Sequence, residues 1–360
     1  MPPEGLLPKP PRDERRVVTL SAAKGLERCR NEILRSAQND LAGSATAPEG
    51  RPLHFRCPRC RTDLDGNGLR NGETDCPGCG RTYSVVGPIV DFNPQSDLTP
   101  DVRLSLTRWS AIYESEEQKQ ATEHLRWYRK SVFDNVCRQS RRLPEVLASG
   151  RRLRALELGS GRSEWSYWMG QMGHEVVAVD FCRGVLRDAA NMFRAADGPD
   201  CTFVCANMCH LPFPDQSFDF AYGGGVIEHV SHTGRLLKEV SRILVEGGLS
   251  LNTVPAFSLS TLFLKHNHIP DVPLLRGLAE HVHLNILKGR LLDAGYELSF
   301  TRPGLARLHA EAGLTTCHAG RYDVGLASRG RPRSLRGRLA MLEPFWDVLL
   351  IEAIKDSAHL

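Results

Sequence analysis

From Arg154 onward the chain alternates short apolar runs with helical patterns, at a pace that leaves little choice of architecture. LRALELG, HEVVAVDF, CTFVCAN and FDFAYGGG read as strands, each nearly continuous in Val, Leu, Ala or Phe. Between them, residues 163–172 and 184–195 read as helices. Leu236, Leu237, Val240, Ile243 and Leu244 then recur at helical spacing, and Gly247-Gly248 is expected to stop that helix before a further strand, LSLNTVP. Such alternation makes a mostly parallel sheet covered on both faces. Sheets of this kind bind ligands outside the C-terminal ends of their strands.

The first such end is ALELGSGRSEW. A dinucleotide loop needs Gly-x-Gly-x-x-Gly, with a pyrophosphate at the helix N-terminus. Here Glu164 occupies the third glycine position, which would set a carboxylate near the phosphates. No Gly-Lys-Ser/Thr follows, so a P-loop fails as well. Gly159 and Gly161 still allow close backbone approach, and Glu157 and Asp180 end the first two strands. A carboxylate at the position of Asp180 can accept from two ribose hydroxyls. The pattern suits a nucleoside whose tail is cationic and free of phosphate.

LELGSG, VVAVD, CANMCHLPFPDQSFDFAY, GVIEHV and LKEVSRILVEGG, in that order and spacing, resemble the successive motifs of class I S-adenosylmethionine-dependent methyltransferases of the type 11-like group. The resemblance covers residues 153–256 and continues more weakly to 300. It implies an α/β, Rossmann-like sheet of seven strands and S-adenosyl-L-methionine as methyl donor. It also implies that Glu157, Gly159 and Gly161 line the methionine moiety, Asp180 holds the ribose and Phe181 flanks the adenine. Asn207 would contact the adenine amino group with Met208 beside it, and Gly223 would lie under the sulfonium. Two positions depart from the family: Asn207 stands where Asp is usual, and Ser163 where glycine is common, which tightens the loop. His229, in GVIEHV, is the candidate general base; a structural histidine at a helix start is the commoner role. Related quinone-pathway methyltransferases carry Glu-x-x-Glu-His, which can hold a metal, but Gly225 replaces the first Glu here.

Upstream, Cys57-x-x-Cys60 and Cys76-x-x-Cys79 are separated by fifteen residues, a four-thiolate spacing for structural Zn2+. A redox dithiol is the alternative reading, made less apt by two matched pairs. The run from Leu53 to Phe92 resembles the N-terminal zinc ribbon of some rRNA guanine methyltransferases and the small zinc-binding activator subunit of RNA and protein methyltransferases. Its arginines cluster on the first knuckle, and five more lie between Arg329 and Arg338. RNA contact by either is weighed against ordinary solvated surface.

The domains expected are a disordered leader (1–51), a zinc ribbon (52–93), a helical linker or cap (94–150) and the methyltransferase domain (151–360). In the cap, Trp109, Ile112 and Tyr113 form one apolar cluster, and Trp127, Tyr128, Val132, Phe133 and Val136 another. Past residue 256 the pattern weakens: an irregular stretch to 280, a helix capped by Asn285, then YELSFTR and FWDVLLIEAIK as strands. His266, His268, His281 and His283 form two His-x-His pairs, more often loop polar groups than ligands.

Eleven cysteines, an odd total without a signal-like h-region, point to reduced thiols. A net charge of +4 is too small to imply nucleic acid by itself. No apolar run approaches the roughly 18 residues of a membrane span. The expectation is a soluble, cytoplasmic methyltransferase with no membrane partner, acting on a small-molecule acceptor. RNA as acceptor and an inactive donor-binding scaffold are the alternatives.

Overall fold

The computed structural model describes residues 53–66, 69, 72–92, 100–114, 130, 132–259, 268–292, 295–323 and 347–356. The leader, the Trp127–Tyr128 pair, His266 and the arginine cluster lie outside these residues. Chain contacts divide the molecule into two units, 1–51 with 145–151, and 52–144 with 152–360. All that follows concerns the second.

Its centre is a sheet built from β4 (Arg154–Leu158), β5 (Glu175–Asp180), β6 (Cys201–Cys205), β7 (Phe218–Gly224) and β8 (Leu244–Pro255). β11 (Leu314–Arg321) and β12 (Val348–Lys355) complete it. The order is β6-β5-β4-β7-β8-β12-β11, parallel except for β12, which runs antiparallel to both neighbours. This is the Rossmann-like methyltransferase sheet the sequence leads one to expect. β4 and β5 are buried on both faces, so they have no polar alternation. On one face Ala178, Phe203 and Cys205 pack against Leu186, Ala189 and Phe193 of helix α4 (Arg183–Ala195). On the other, Leu156, Val177 and Val204 belong to a core with Leu236, Leu237 and Val240 of helix α5 (Thr233–Ile243). Helix α3 (Glu164–Gln171) follows the first glycine loop.

The cysteine ribbon continues this sheet. Its strands β1 (Glu73–Asp75), β2 (Thr82–Val86) and β3 (Ile89–Asp91) form an antiparallel meander whose last member pairs in parallel with β6, Val90 opposite Val204. The β2–β3 turn is Gly87-Pro88, with Gly87 at φ +62°. Ten strands therefore run in one sheet. Arg56 N–H donates to Pro212 O at 2.9 Å, and Phe55 packs on Phe92 and Phe213.

Two readings after β8 change. YELSFTR supplies only β10 (Leu298–Ser299), which pairs with β9 (Ile269–Pro270) in a separate two-stranded ribbon. The seventh strand of the main sheet is β11, whose sequence LTTCHAGR has no clear alternation and which the sequence reading did not name. The helix expected from Asn285 is also displaced. Helix α6 (Leu275–Glu280) runs into a π-turn over His281–Ile286, and Asn285 bonds His281 there instead of capping a new helix. Helix α5 ends at Ile243, and β8 begins at once, absorbing Gly247 at φ +72°.

Candidate active site

The C-terminal edges of β4, β5 and β7 open on a cavity of about 270 Å³. Its floor is the glycine loop. Gly159, Gly161 and Ser163 have φ of +53°, +52° and +57°, three left-handed residues alternating along five positions. At Gly159 a Cβ would lie 2.8 Å from Val226, so glycine is required twice over. Ser163 accepts the strained conformation with its hydroxyl bonded to Ser160 at 3.0 Å.

Two carboxylates anchor the loop. Glu157 Oε2 accepts from Ser166 N at 2.9 Å and Ser166 Oγ at 2.7 Å, tying β4 to α3. Asp180 accepts from Gly161 N and Cys182 N, each at 2.8 Å, one per oxygen. Burial raises the Asp180 carboxyl to about 6, opposed by those two N–H donors. It is mostly ionised at neutral pH, and a cation nearby would lower it again.

Glu164 joins Glu157 and Asp180 in the wall, and among the described residues no Lys or Arg side chain lines the cavity. Trp165 stacks on Tyr222 at 4.7 Å and on Phe220 at 5.1 Å. Carboxylates and aromatic faces without a cation fit a positively charged ligand and disfavour a phosphate.

The roof comes from earlier in the chain. Helix α1 (Pro100–Glu114) brings Trp109 and Tyr113 over the loop. The Tyr113 hydroxyl lies 2.6 Å from where a Gly161 Cβ would be. Helix α2 (132–139) adds Val132 and Phe133. That segment is held by Glu352 of β12, which accepts from Arg141 N at 2.9 Å and Arg142 N at 3.1 Å. The volume of about 270 Å³ falls just below the ~300–1,000 Å³ usual for ligand pockets.

His229 closes one side. Its Nδ1 lies 2.8 Å from Tyr296 O. A carbonyl only accepts, so Nδ1 carries the proton and Nε2 keeps its lone pair. Burial lowers the His229 pKa, opposed by the Tyr296 bond, so the ring is neutral at pH 7. Trp109 meets it edge-on at 5.4 Å. Neighbouring Glu228 is buried and outside the lining; burial first, then the charge of Glu297, raises its pKa well above the usual carboxylate range.

Of the residues singled out by sequence, Glu157, Gly159, Gly161, Asp180, Phe181, Met208 and His229 share this cavity. Asn207 and Gly223 are not in its wall. Asn207 Oδ1 is turned back to accept from Cys209 N at 2.9 Å, capping the short 3-10 turn Met208–His210. Gly223 makes room for Asn252, whose Oδ1 would sit 2.5 Å from a Cβ there; Gly224 and Gly225 reach the cavity instead. Sequence reasoning did not single out Glu164, Trp165, Tyr222 or Val226 as lining residues. An alternative signal existed for the roof alone, in the i, i+4 pair Trp109 and Tyr113.

The cysteines converge separately. Cys57, Cys60, Cys76 and Cys79 hold their sulfurs within 4.8 Å of one another, the one such metal-ligating group among the described residues. Cys57–Cys79 is 3.6 Å and Cys60–Cys76 3.4 Å, against ~3.8 Å between sulfurs of a tetrahedral thiolate site. The knuckles are alike: Cys57 N bonds Thr62 O and Arg61 N bonds Cys57 O, as Cys76 N bonds Arg81 O and Gly80 N bonds Cys76 O. Arg61, at φ +66°, takes the place of Gly80 at φ +68°. Its guanidinium is held by Glu239 at 2.6 Å and Leu211 O at 3.0 Å, which keeps a non-glycine residue in that conformation. Among the described residues, the histidines of the His-x-His pairs form no metal-ligating group: His268 faces Glu297 at 3.3 Å, and His281 faces Asn285.

Residues 156–251 match the family described as Methyltransferase domain, Methyltransf_11. The demethylmenaquinone methyltransferase of Listeria welshimeri is 32% identical over 97 residues, 26% of this chain and 41% of that protein. The malonyl-[acyl-carrier protein] O-methyltransferase of Yersinia pestis is 28% identical over 197 residues, 52% of this chain and 70% of its own. The bifunctional biotin biosynthesis protein BioHC of Cellvibrio japonicus is 34% identical over 98 residues, 27% of this chain and 18% of that protein. The chain thus spans less than half of two of these three relatives. A solved structure of Burkholderia thailandensis 1,6-didemethyltoxoflavin-N1-methyltransferase aligns over 78% of this chain and 97% of its own, at 16% identity and a TM-score of 0.45.

Proposed function

We propose that this chain, whose residues 156–251 form a methyltransferase domain on a class I sheet, moves the methyl group of S-adenosylmethionine to a small-molecule acceptor. The observation that carries the reading is the cavity wall: Glu157, Glu164 and Asp180 with aromatic faces, a neutral His229 and, among the described residues, no Lys or Arg side chain. That chemistry suits the donor, whose adenosyl group would rest on Asp180 and Phe181 and whose cationic tail would face Glu157 and the glycine loop. The bound donor supplies a methyl group already activated by the sulfonium charge.

The protein's own part is alignment and exclusion of water. Trp109, Tyr113 and Phe133 close the cavity from above, and alignment of this kind supplies on the order of 7–11 kcal/mol. His229 offers Nε2 to take the acceptor's proton as it attacks, with Nδ1 fixed on Tyr296 O. Of the relatives named above, the demethylmenaquinone methyltransferase favours a small acceptor here, while the malonyl-[acyl-carrier protein] O-methyltransferase has an acceptor borne on a protein.

RNA recognition by the ribbon is less well supported. Arg61 is spent on Glu239 and Leu211, and Arg56 on Asp63 and Asp215. The ribbon reads better as a buttress, its four cysteines fitted to structural Zn2+ and its clamp on Leu211 steadying the loop that carries Met208. Chelation is expected to lower Tm by about 5 °C or more and weaken donor binding several-fold; an unchanged melt would remove zinc from the account.

A labelled-methyl screen against a small-molecule extract and total RNA tests the whole reading. Label is expected in the extract. Label in RNA alone would transfer the acceptor role to RNA, and label in neither, with donor still bound by calorimetry, would leave a donor-binding scaffold.

A further inference from the structure

The chain flanks His229 on two sides, and one guanidinium joins both. Its Nδ1 donates to the carbonyl of Tyr296, two residues before β10, and Ser231 follows His229 by two residues in its own turn. Arg276, the second residue of α6, donates from Nη2 to the Tyr296 hydroxyl at 3.0 Å and to Ser231 O. Its Nη1 donates to Asp271, just after β9, at 2.8 Å, and its Nε to Glu280 at 2.9 Å. Glu280 also accepts from the Tyr296 hydroxyl. Burial first, then that bond, raises the Tyr296 pKa, so the hydroxyl keeps its proton, donating to Glu280 and accepting from Arg276.

Only a planar fork holds so many acceptors in fixed directions at once; a lysine ammonium on a flexible stem does not. Bonds from a charged donor to carboxylates are also the strong ones. No residue of α6 is buried, so apolar packing does little to place this helix, and the bonds of Arg276 place it. Arg276 is absent from the wall of the active-site cavity and borders a second pocket, of about 310 Å³. Any effect it has on the chemistry therefore passes through His229. A neutral imidazole carries its proton on either nitrogen, and the bond made by one nitrogen decides which form is present. Nε2 keeps a lone pair for the cavity only while Nδ1 holds the proton. The Tyr296 ring is buried and its hydroxyl is gripped twice, which keeps its carbonyl turned to Nδ1.

We infer that Arg276 is a positioning residue for His229: by holding the Tyr296 hydroxyl and Ser231 O together, it keeps the imidazole in the Nδ1–H form with Nε2 ready to accept a proton. Its consequence for turnover rests on the proposed methyl transfer with His229 as base. Its consequence for the ring itself needs neither donor nor acceptor.

Nitrogen NMR of the full chain carrying isotope-labelled histidine tests it, with the His229 signals assigned by their loss in His229→Gln. One form, protonated on Nδ1, is expected in the parent. Arg276→Gln is expected to admit the second form, lowering the ratio of the two by at least about threefold. Turnover should fall about tenfold with donor affinity within about twofold, because the cavity wall is untouched. Tyr296→Phe removes the hydroxyl and keeps the ring, and should move the ratio the same way; it carries the comparison alone if Arg276→Gln does not fold. The double variant should do little more than Arg276→Gln, since both substitutions cut one connection. A parent ring protonated on Nε2, or a ratio that neither variant changes, overturns the inference, as do effects that simply add. A mixed ring with unchanged turnover would uphold the positioning and remove His229 as the base, so the two readings fail separately.

Discussion

The floor and the roof of the cavity are held in different ways. The floor is local: Glu157 to Ser166 is nine residues, Gly161 to Asp180 nineteen, and these bonds join strand ends to the glycine loop and the first turn of α3. The roof is assembled from a distance. Trp109 and Tyr113 arrive on α1, and Phe133 on a segment whose end is anchored by Glu352 more than two hundred residues later. On the proposed function, the floor's polar groups would fix a ligand in place and the roof's rings would exclude water. Substitutions below should therefore abolish binding, whereas substitutions above should weaken it.

The sharpest test is Asp180→Ala. It removes an acceptor that serves both Gly161 N and Cys182 N as well as any ribose hydroxyls, so two backbone donors lose their partner. At ~1.5–3 kcal/mol per charge-assisted bond, donor affinity by calorimetry should fall at least about a hundredfold. The pH profile supplies a second readout. The folded carboxyl sits at about 6 against an ordinary 3.8, so its contribution to stability is present below about 3.8 and lost as pH rises through 6. Donor binding needs the ionised form and runs the opposite way, weakening below about pH 6. Affinity flat from pH 5 to 8 would show that Asp180 does not hold the ligand.

His229→Gln probes the wall between the two regions. Glutamine can still bond Tyr296 O but offers no basic nitrogen to the cavity. The turnover rate should fall about a hundredfold or more, with donor affinity within about twofold, since the floor is untouched. A matching loss in both would mean that His229 seats the donor and leaves the proton alone.

What the sequence made legible follows the same division. The glycine loop and Asp180 were readable because strand alternation puts them at the ends of β4 and β5, whereas Met208 and His229, in short 3-10 turns after β6 and β7, were reached through the family's motifs. Asn207 and Gly223 were carried over from a family pattern, and local geometry used them otherwise: one caps a turn, and the other clears space for Asn252. The cysteine spacing announced a metal-type cluster, yet gave no sign that β3 would pair with β6, because strand pairing at a sheet edge depends on which backbone groups remain open. Past residue 256 the reading was coarser. YELSFTR is a strand as read, but only over Leu298–Ser299, because β12 fills the place beside β8 and this segment pairs with β9 in a two-stranded ribbon.

Trp109→Ala tests the roof directly. Its ring meets His229 edge-on and Tyr113 at 5.7 Å, contacts of ~0.5–1.5 kcal/mol each. Donor affinity should drop only about three- to tenfold, mostly through faster release. A hundredfold loss, equal to that of Asp180→Ala, would erase the distinction between floor and roof.

The smallest effect separates strain from bonding at Ser163. The left-handed conformation costs a non-glycine residue ~1–2 kcal/mol, and the bond to Ser160 returns ~1 kcal/mol. Ser163→Gly removes both and adds ~0.5–1 kcal/mol of unfolded-chain entropy, so its stability should stay within about 1 kcal/mol of the parent. Ser163→Ala keeps the strain and loses the bond, and should be less stable by about 1 kcal/mol. Glycine above alanine, in a turn that opens a helix, is the reverse of helix propensity. Urea unfolding of the two variants resolves the order. Alanine above glycine would mean that the loop leaves the left-handed region in solution, and the floor would then owe its shape to the two carboxylates alone.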